Sequence, residues 1–467
     1  MDRHLEKLVH MNTALILAYF FPPIQASGSI RPMGFCRYLV ENDWKPVVLS
    51  TIGSSIYPPF QVENNEDEST EFEVYRVADN NWLPHLIRTK NNFKKYASSV
   101  LSAAKFIGNY KKDKSGSADQ NTVQAISSRK RLVEEYLFSF PDYQCFWISR
   151  CLKHAAQIIH KHKPKVIFAT GSPWSSLVLA NRLGTQFKIP YILDFRDPWT
   201  QGNPYINYQH QILVKRSQKI ERKVCTQAAA IIANTDELAE QFRIAYPEIA
   251  ANITAITNGF DAGLFGGLPE KVYANSSIAL RKKCIEVVHL GSIYGKRSPL
   301  ALLKAFRTLL ENGSITSDCI KFRFIGAWDV HEQECSRHVD FLIRMGVLSL
   351  EPSMPRAACL EIMKNADSLL IIQPDSPLQI PGKLFEYIAA ERPFFVVGGE
   401  GATANLVNKY KLGHVYSNDV VALQDMIHTI ATADFDHMKP ENAAREPFNY
   451  KNLSKKLVDV FNSVITC

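Results

Sequence analysis

The chain has 467 residues, which is long enough for two or three domains. Hydrophobic residues make up 46% and charged residues 21%, so the composition supports buried cores and excludes a globally disordered chain. No apolar run is long enough to span a bilayer, and the charged N-terminal segment lacks the apolar stretch of a secretory signal.

The net charge of +8 is concentrated in the first part of the chain. Residues 1–265 have a net charge of +7, and the window 74–165 within them has +11, so we expect a negatively charged partner for this half. The nine cysteines are scattered and form no C-x-x-C pair. This pattern argues against a disulfide framework and a structural zinc site, and it favours a reducing compartment.

Short apolar runs alternate with helical patterns, which is typical of βαβ units and parallel sheets. The elements predicted in the first half are strand Thr13–Tyr19, helix Arg31–Glu41, strand Pro46–Ser50, strand Val166–Thr170, helix Pro173–Gln186, strand Tyr191–Phe195, helix His210–Thr226, strand Ala229–Ala233, a helix from Asp236 and strand Ile253–Ile256. The apolar runs are nearly continuous, which indicates strands that are covered on both faces.

A segment rich in glycine and turn formers, Asn258–Glu270, predicts a domain boundary. The elements predicted after it are strand Ile285–Gly291, helix Pro299–Leu310, strands Phe322–Gly326 and Val347–Leu350, helix Arg356–Asn365, strand Ser368–Gln373, helix Lys383–Ala390, strand Phe394–Gly399, helices Thr403–Tyr410 and Val420–Ala431, and an amphipathic segment Lys451–Ile465. The whole pattern predicts two doubly wound α/β domains, whose ligands bind beyond the carboxyl ends of the strands.

The first predicted strand leads into the loop Tyr19–Pro32, where two prolines stop the strand and a Gly/Ser-rich stretch precedes a helix. Such a loop presents backbone N–H groups at a helix N-terminus, which suits a phosphate or an acceptor hydroxyl. Only Gly28 is present, so the pattern is not the G-x-G-x-x-G of dinucleotide-binding folds. An ordinary βα connection is the alternative interpretation.

Asp194, Arg196 and Asp197 lie at the end of the predicted strand Tyr191–Phe195, and Pro198 prevents the strand from continuing. A carboxylate at this edge can orient or deprotonate the hydroxyl of an acceptor. The alternative is that Asp197 caps a turn and pairs with Arg196.

In the second half, Lys296 and Arg297 lie between a glycine turn and a helix, where a bound diphosphate needs countercharge. Lys383 lies in the first turn of a later helix, and Glu386 follows three residues on. A cation at a helix start opposes the helix dipole unless it serves an anion bound there. Glu386 can offer its carboxylate to vicinal hydroxyls such as those of a ribose. A solvated basic turn and a capped surface helix are the alternatives.

Together these segments resemble a GT-B glycosyltransferase of the family 4 type found in bacterial surface-polysaccharide synthesis. The resemblance rests on FFPPIQASGSIR, GSPWSSLVLA, DFRDPWTQ, HLGSIYGKRSPLALLKAF and MGVLSLEPSMPRAACLEIMKNADSLLII, and most specifically on IPGKLFEYIAAERPFFVVGGEGATANLV. It implies two doubly wound, Rossmann-like α/β domains that face a central cleft. These are an acceptor-binding domain, 1–265 with a returning C-terminal helix 446–467, and a nucleotide-sugar-binding domain, 266–445.

The resemblance also implies retaining transfer of a sugar from a nucleotide-sugar donor to a saccharide or lipid-linked acceptor. The residues it assigns to the donor are Gly28, Gly291, Lys296, Arg297, Gly326, Lys383 and Glu386. Arg297 and Lys383 would bind the diphosphate, and Glu386 the ribose. The acceptor-side candidates are Asp194, Arg196 and Asp197, and the catalytic candidates are Asp197, Arg297 and Lys383. Fixed cations can stabilise the departing diphosphate, so we expect no metal and no cofactor.

The sequence departs from the family pattern at two positions. Family members often have two glutamates eight positions apart, but Leu378 stands eight residues before Glu386, and the nearest acid is Asp375. Ser292 follows Gly291 where an arginine is common. A non-catalytic GT-B-like protein that binds a nucleotide sugar is therefore a second hypothesis, and a sugar-nucleotide epimerase is a third.

Two further signals concern metals and membranes. The D-x-D motif Asp434–Asp436 falls in a late loop and is interpreted as solvated rather than metal-binding. Residues 88–114 combine an apolar helical face with many lysines, as in helices that lie on anionic membranes, and packing on their own domain is the alternative. We therefore expect a cytoplasmic protein without a nucleic-acid partner, and residues 88–114 are the part that would contact the inner face of the cytoplasmic membrane.

Overall fold

A computed structural model of the chain describes residues 11–24, 26–52, 73–79, 140–201, 211–266, 268, 284–295, 297–330, 332–432, 435 and 437–465. Three of the sequence predictions lie outside the described residues. They are the helix at 88–114, the aspartates of the D-x-D motif and the donor candidate Lys296.

The first sheet has seven strands in the order β3-β2-β1-β4-β5-β6-β7, and the pairs from β3 to β5 are parallel. Its strands are β1 (Asn12–Ala18), β2 (Trp44–Thr51), β3 (Glu73–Val77), β4 (Val166–Gly171), β5 (Tyr191–Phe195), β6 (Ala230–Ala233) and β7 (Ile253–Ala255). The helices of this part are α1 (Ser27–Leu39), α2 (Cys145–His162), α3 (Ser175–Phe187), α4 (Gln211–Thr226) and α5 (Asp236–Ala245), with 3-10 turns at Val40–Asn42 and Pro247–Asn252.

The second sheet has six parallel strands in the order β12-β10-β8-β13-β14-β15, and β9 pairs with β11 beside it. The strands are β8 (Ile285–Leu290), β9 (Ile293–Tyr294), β10 (Ile320–Ile325), β11 (Trp328–Asp329), β12 (Leu348–Glu351), β13 (Ser368–Ile372), β14 (Phe394–Val397) and β15 (His414–Tyr416). The helices are α6 (Leu300–Glu311), α7 (Gln333–Arg344), α8 (Arg356–Asn365), α9 (Lys383–Ala390), α10 (Ala402–Tyr410), α11 (Val420–Thr432), α12 (Asn442–Arg445) and α13 (Tyr450–Ile465), with a 3-10 turn at Glu446–Phe448.

The second sheet is covered on both faces by apolar clusters. One cluster includes Val288 and Leu290 with residues of α8, α9 and α10, and the other includes Val287 with residues of α6, α7 and α11. Because successive side chains of a strand point to opposite faces, a strand covered on both sides is apolar at most of its positions. This explains why the continuous apolar runs of the sequence form the central strands.

The chain divides into two compact units. The first comprises residues 1–232, 242–253 and 458–467, and the second comprises residues 233–241 and 254–457. Helix α13 therefore begins in the second unit and ends in the first. In the first unit, the Phe461 ring lies 5.0 Å from the ring of Trp44 and 5.8 Å from that of Phe168, centroid to centroid.

Two further findings concern cysteines and membranes. The eight cysteines in the described part of the chain are free thiols. None of the helices that the structure describes combines the length and the apolar character needed to cross a bilayer.

Candidate functional site

The first turn of helix α9 brings together two of the predicted donor residues. Lys383 is the first residue of the helix, and its Nζ lies 2.8 Å from Oε2 of Glu386. The i,i+3 spacing places the two side chains side by side, so the cation at the helix start has its countercharge within the same turn. An ammonium group has three donors, so Lys383, which is 37% exposed, keeps donors for a ligand.

Arg356, the first residue of α8, is a site residue that the sequence analysis missed. Its Nη2 donates a hydrogen bond of 3.2 Å to Oε1 of Glu386. The buried Glu386 is thus shared by two partly exposed cations, Arg356 and Lys383. The local sequence around Arg356 does not mark it, because its partner is 30 residues away along the chain.

His289, near the end of β8, is a second residue that the sequence analysis missed. Its Nδ1 lies 2.9 Å from the carbonyl oxygen of Leu370 on β13, and the ring is buried. Burial, together with the positive charges of Arg297 and Lys383, lowers the pKa of His289 to about 4, although the hydrogen bond to Leu370 acts in the opposite direction. Both predicted diphosphate residues therefore act on this one imidazole.

Arg297 lies in the loop between β9 and α6. Its backbone N–H donates to the carbonyl of Tyr294, and its guanidinium lies over the Tyr294 ring, 5.1 Å from the centroid. The buried Nε of Arg297 has no hydrogen-bond partner among the described residues. The side chain is thus positioned by its neighbour while one N–H donor is left for another group.

Gly291 and Gly326 bring the ends of strands β8 and β10 into close contact. A Cβ atom on Gly326 would lie 2.3 Å from the carbonyl oxygen of Gly291, a distance that no side chain tolerates. Both residues also have positive φ angles, 151° at Gly291 and 147° at Gly326, which favour glycine. The close approach of the two strand ends therefore depends on the missing side chain of Gly326, and both backbone conformations favour glycine.

The second unit thus brings together most of the predicted donor residues. Arg297, Lys383 and Arg356 supply three positive charges, and Glu386 supplies the one carboxylate among the groups joined by these contacts. Such a group can bind an anion such as a diphosphate. Leu378 offers no carboxylate, and its backbone carbonyl accepts a hydrogen bond of 2.9 Å from the Thr235 hydroxyl.

In the first unit, Asp194 is engaged in a buried ion pair. Its carboxylate accepts hydrogen bonds from Nε and Nη2 of Arg31 at 2.7 to 3.1 Å and from the Thr170 hydroxyl at 2.7 Å. Arg31 is 2% exposed and Asp194 is fully buried. The expectation that Asp194 contacts an acceptor is therefore not supported by its position. The pair joins α1 to the ends of β4 and β5.

Gly28 and Arg196, two other predicted site residues, pack against each other. A Cβ atom on Gly28 would lie 2.3 Å from Nη1 of Arg196, so a larger residue at this position would have to displace the guanidinium. Arg196 also donates from Nε to the carbonyl of Gly171 at 3.2 Å and from Nη2 to that of Ser172. Asp197 is partly exposed beside it. The structure thus brings Gly28 to the loop that contains Arg196 and Asp197.

This loop is anchored by Glu221, a fully buried residue of α4. Oε2 of Glu221 accepts a hydrogen bond of 2.9 Å from the backbone N–H of Thr200 and another from the Thr200 hydroxyl. Burial raises the pKa of Glu221 to about 7, although the hydrogen bonds act in the opposite direction. The carboxyl group therefore titrates near neutral pH.

This raised pKa predicts a pH-dependent stability. Between the unfolded pKa of about 4.5 and the folded value of about 7, the folded state keeps a proton that the unfolded state releases, so stability falls as the pH rises through this window. Glu221→Gln removes the effect and keeps an acceptor for Thr200. We therefore expect the difference in melting temperature, variant minus wild type, to increase by about 4–8 °C between pH 5 and pH 8.

The control for this comparison is Glu248→Gln. Glu248 lies in the same unit, is exposed and pairs with Arg222 at the surface. The melting temperature of the Glu248→Gln variant should change with pH as that of wild type does. If the Glu221→Gln variant also follows the wild-type pH profile, Glu221 is ionised to the same extent in the folded and unfolded states, and the prediction is wrong.

The fold is that of GT-B glycosyltransferases, as predicted. A glycosyltransferase from Rickettsia africae aligns with 97% of this chain and 99% of its own, at a TM-score of 0.57 and 13% identity. Anabaena HepE, solved in complex with UDP and glucose, aligns with 97% of this chain and 100% of its own, at a TM-score of 0.57 and 12% identity. Sucrose-phosphate synthase from Thermosynechococcus elongatus aligns with 98% of this chain and 99% of its own, at a TM-score of 0.59 and 12% identity.

A family match supports the same class of protein. Residues 117–264 match the model of Glycosyltransferase Family 4. The resemblance to GT-B glycosyltransferases of the family 4 type is therefore confirmed. A search of the curated proteins found no significant match.

Proposed function

We propose that this protein is a glycosyltransferase that moves a sugar from a nucleotide-sugar donor to an acceptor. The observation on which the proposal rests is the cationic group at the carboxyl end of the second sheet. There the positive charges of Arg297 and Lys383 both lower the pKa of His289, and Lys383 contacts Glu386. Ligands of open α/β sheets bind at this end of the strands. The GT-B fold, the family 4 match and the bound UDP of Anabaena HepE support the same function.

The chain's own residues can perform the chemistry of transfer. When the bond between the sugar and the diphosphate breaks, negative charge develops on the leaving phosphate. Arg297 and Lys383 are positioned to stabilise it, and fixed cations do so without reorganising. Glu386 retains lone pairs beyond those used by Lys383 and Arg356, so it can still accept hydrogen bonds from ribose hydroxyls. Retention at the anomeric carbon is the outcome implied by the resemblance.

The acceptor belongs to the first unit in this proposal. Arg196 and Asp197, next to Gly28 at the end of β5, are the residues proposed to meet it. A saccharide or lipid-linked acceptor of cell-envelope or exopolysaccharide synthesis is the proposed class. It is consistent with the positive charge of residues 74–165 and with a cytoplasmic enzyme that contacts an anionic membrane.

A donor screen tests the function. The protein is incubated with UDP-, GDP- and ADP-sugars, with and without saccharide acceptors, and release of the nucleoside diphosphate is measured. Acceptor-dependent release of one nucleotide supports transfer. Binding without turnover supports the non-catalytic hypothesis, which the leucine at position 378 favours. Conversion of the donor sugar without an acceptor indicates an epimerase, and no binding of any donor contradicts the proposal.

We propose further that transfer needs no divalent metal, because Arg297 and Lys383 supply the positive charge that a metal would otherwise provide. Activity in excess EDTA should stay within about twofold of activity in magnesium or manganese. The measurement is the rate of nucleotide release after the enzyme has been dialysed against the chelator. Loss of activity in EDTA that either metal restores contradicts this prediction.

A further inference from the structure

Three polar side-chain groups at the carboxyl end of the second sheet are buried without hydrogen-bond partners among the described residues. They are Nε2 of His289 on β8, Nε of Arg297 in the loop after β9, and both amide atoms of Gln373, the residue after β13. His289 is 8% exposed and Gln373 is 4% exposed. Burying a polar group without a partner costs about 1–3 kcal/mol. Such groups on neighbouring strands therefore indicate a ligand.

The hydrogen bonding of His289 defines what its Nε2 can bind. The carbonyl oxygen of Leu370 can only accept, so the proton of the neutral ring lies on Nδ1 and Nε2 has the lone pair. With a pKa of about 4, the ring is neutral at neutral pH. Nε2 is thus an acceptor and repels the oxygen atoms of a diphosphate, which are acceptors too. Its partner must be an O–H or N–H donor.

The position of Nε2 indicates where this donor lies. A Cβ atom on Gly291 would lie 3.6 Å from Nε2, so the ring faces the point where the chain leaves β8. Arg297, a proposed diphosphate ligand, contributes to lowering the pKa of this ring. A hydroxyl is a group that can satisfy either atom, because its O–H can donate to Nε2 of His289 and its oxygen can accept from an N–H such as that of Arg297 Nε.

We propose that His289 and Gln373 bind hydroxyl groups of the nucleotide sugar, with Nε2 of His289 as the acceptor. The proposal rests on the function proposed above and deepens it. The position eight residues before Glu386 is a leucine and supplies no carboxylate to the sugar. His289 and Gln373 provide neutral contacts in its place, and a sugar that lacks the contacted hydroxyl binds more weakly.

Two substitutions of His289 separate its two nitrogens. His289→Asn places an amide N–H where Nδ1 donates to Leu370 but removes the acceptor at Nε2. His289→Gln restores a polar atom near Nε2. By calorimetry with UDP-, GDP- and ADP-sugars, we expect the Asn variant to bind the wild-type donor roughly 3- to 30-fold more weakly, and the Gln variant to recover part of the loss.

The free nucleoside diphosphate distinguishes the two sources of the hydroxyl. If the Asn variant binds the nucleotide sugar more weakly but the free diphosphate normally, the hydroxyl belongs to the transferred sugar. If both ligands lose affinity equally, it belongs to the ribose. If neither ligand loses affinity, His289 does not bind the ligand. If wild type itself binds no nucleotide sugar, the proposed function fails, and this proposal fails with it.

His414→Asn is the matched control. His414 is a partly buried histidine at the opposite, amino end of strand β15 in the same sheet, where its ring stacks on Phe395. Its replacement should leave both affinities within about twofold of wild type. A loss of affinity in the control variant equal to that of His289→Asn would attribute the effect to general destabilisation and contradict the proposal.

Gln373→Met gives an independent test, because stability and nucleotide-sugar affinity are expected to respond in different directions. Replacing a buried amide that has no partner by an apolar group of similar shape should leave the melting temperature of the ligand-free protein unchanged or raise it. The same substitution should weaken nucleotide-sugar binding roughly 3- to 30-fold, because the hydroxyl loses its partner. A lower melting temperature with unchanged affinity would show that Gln373 has only a structural role.

Discussion

Replacing Lys383 by alanine is expected to lower the rate of transfer by about 100- to 1000-fold. Lys383 is at the start of α9, and its Nζ contacts Glu386, so the other donors of this ammonium group can stabilise charge on the leaving diphosphate. The interaction strengthens as that charge develops, so the loss should appear mainly in kcat. The measurement is steady-state release of the nucleotide from the donor found in the screen.

Lys304→Ala is the matched control for this variant. Lys304 is 34% exposed, close to the 37% of Lys383, and its Nζ lies 2.7 Å from Oε1 of Glu334 in the same unit. Both variants lose one positive charge and one ion pair. A normal rate for Lys304→Ala and a slow one for Lys383→Ala assign the effect to the site. Equal rates for the two variants would show that Lys383 is not part of the site.

Replacing Glu386 by glutamine is expected to weaken nucleoside diphosphate binding by roughly 10- to 100-fold. A carboxylate accepts strong hydrogen bonds from ribose hydroxyls, and the amide of glutamine replaces one acceptor oxygen by a donor. Lys383 and Arg356, which would lose their partner, are partly exposed and remain hydrated, so the fold should persist. Calorimetric titration measures the affinity.

Deoxynucleotides show whether Glu386 contacts the ribose itself. Wild type should bind the 2′-deoxy or 3′-deoxy diphosphate more weakly than the ribonucleotide, and Glu386→Gln should bind all three alike. Glu334→Gln, which removes a carboxylate paired with Lys304, serves as the control and should keep the wild-type preference. Full discrimination against deoxynucleotides in the Glu386→Gln variant would exclude the ribose contact.

The central strands of both sheets were predictable because burial on both faces makes them continuously apolar. Strand Tyr191–Phe195 and helices Arg356–Asn365 and Lys383–Ala390 match the prediction residue for residue. Strand β3 (Glu73–Val77) was missed. Four of its five residues are partly exposed at the edge of the sheet, so it has no continuous apolar run.

Two of the longer helices were also missed, for different reasons. Helix α2 has its buried residues at helical spacing, among them Trp147, Cys151 and Ile158, so this signal was present in the sequence. Its basic residues were interpreted as part of a charged window. Helix α7 buries only Cys335, Val339 and Leu342, which is a weak pattern. Neither helix has a side-chain N-cap to mark where it begins.

The candidate site was predictable where its residues are close in sequence, as Lys383 and Glu386 are. Arg356 and His289 could not be found in this way, because their partners are 30 and 81 residues away. Asp194 shows the opposite limit. A carboxylate at a strand end is typical of active sites. The sequence does not reveal that the Asp194 carboxylate forms an ion pair with Arg31, 163 residues away.

A crystal structure with the nucleoside diphosphate that binds most tightly tests the proposed donor site most directly. The diphosphate oxygens should lie within hydrogen-bonding distance of the guanidinium of Arg297 and the ammonium of Lys383, with the ribose hydroxyls on Glu386. A nucleotide bound elsewhere, out of contact with all three side chains, would contradict the proposed donor site.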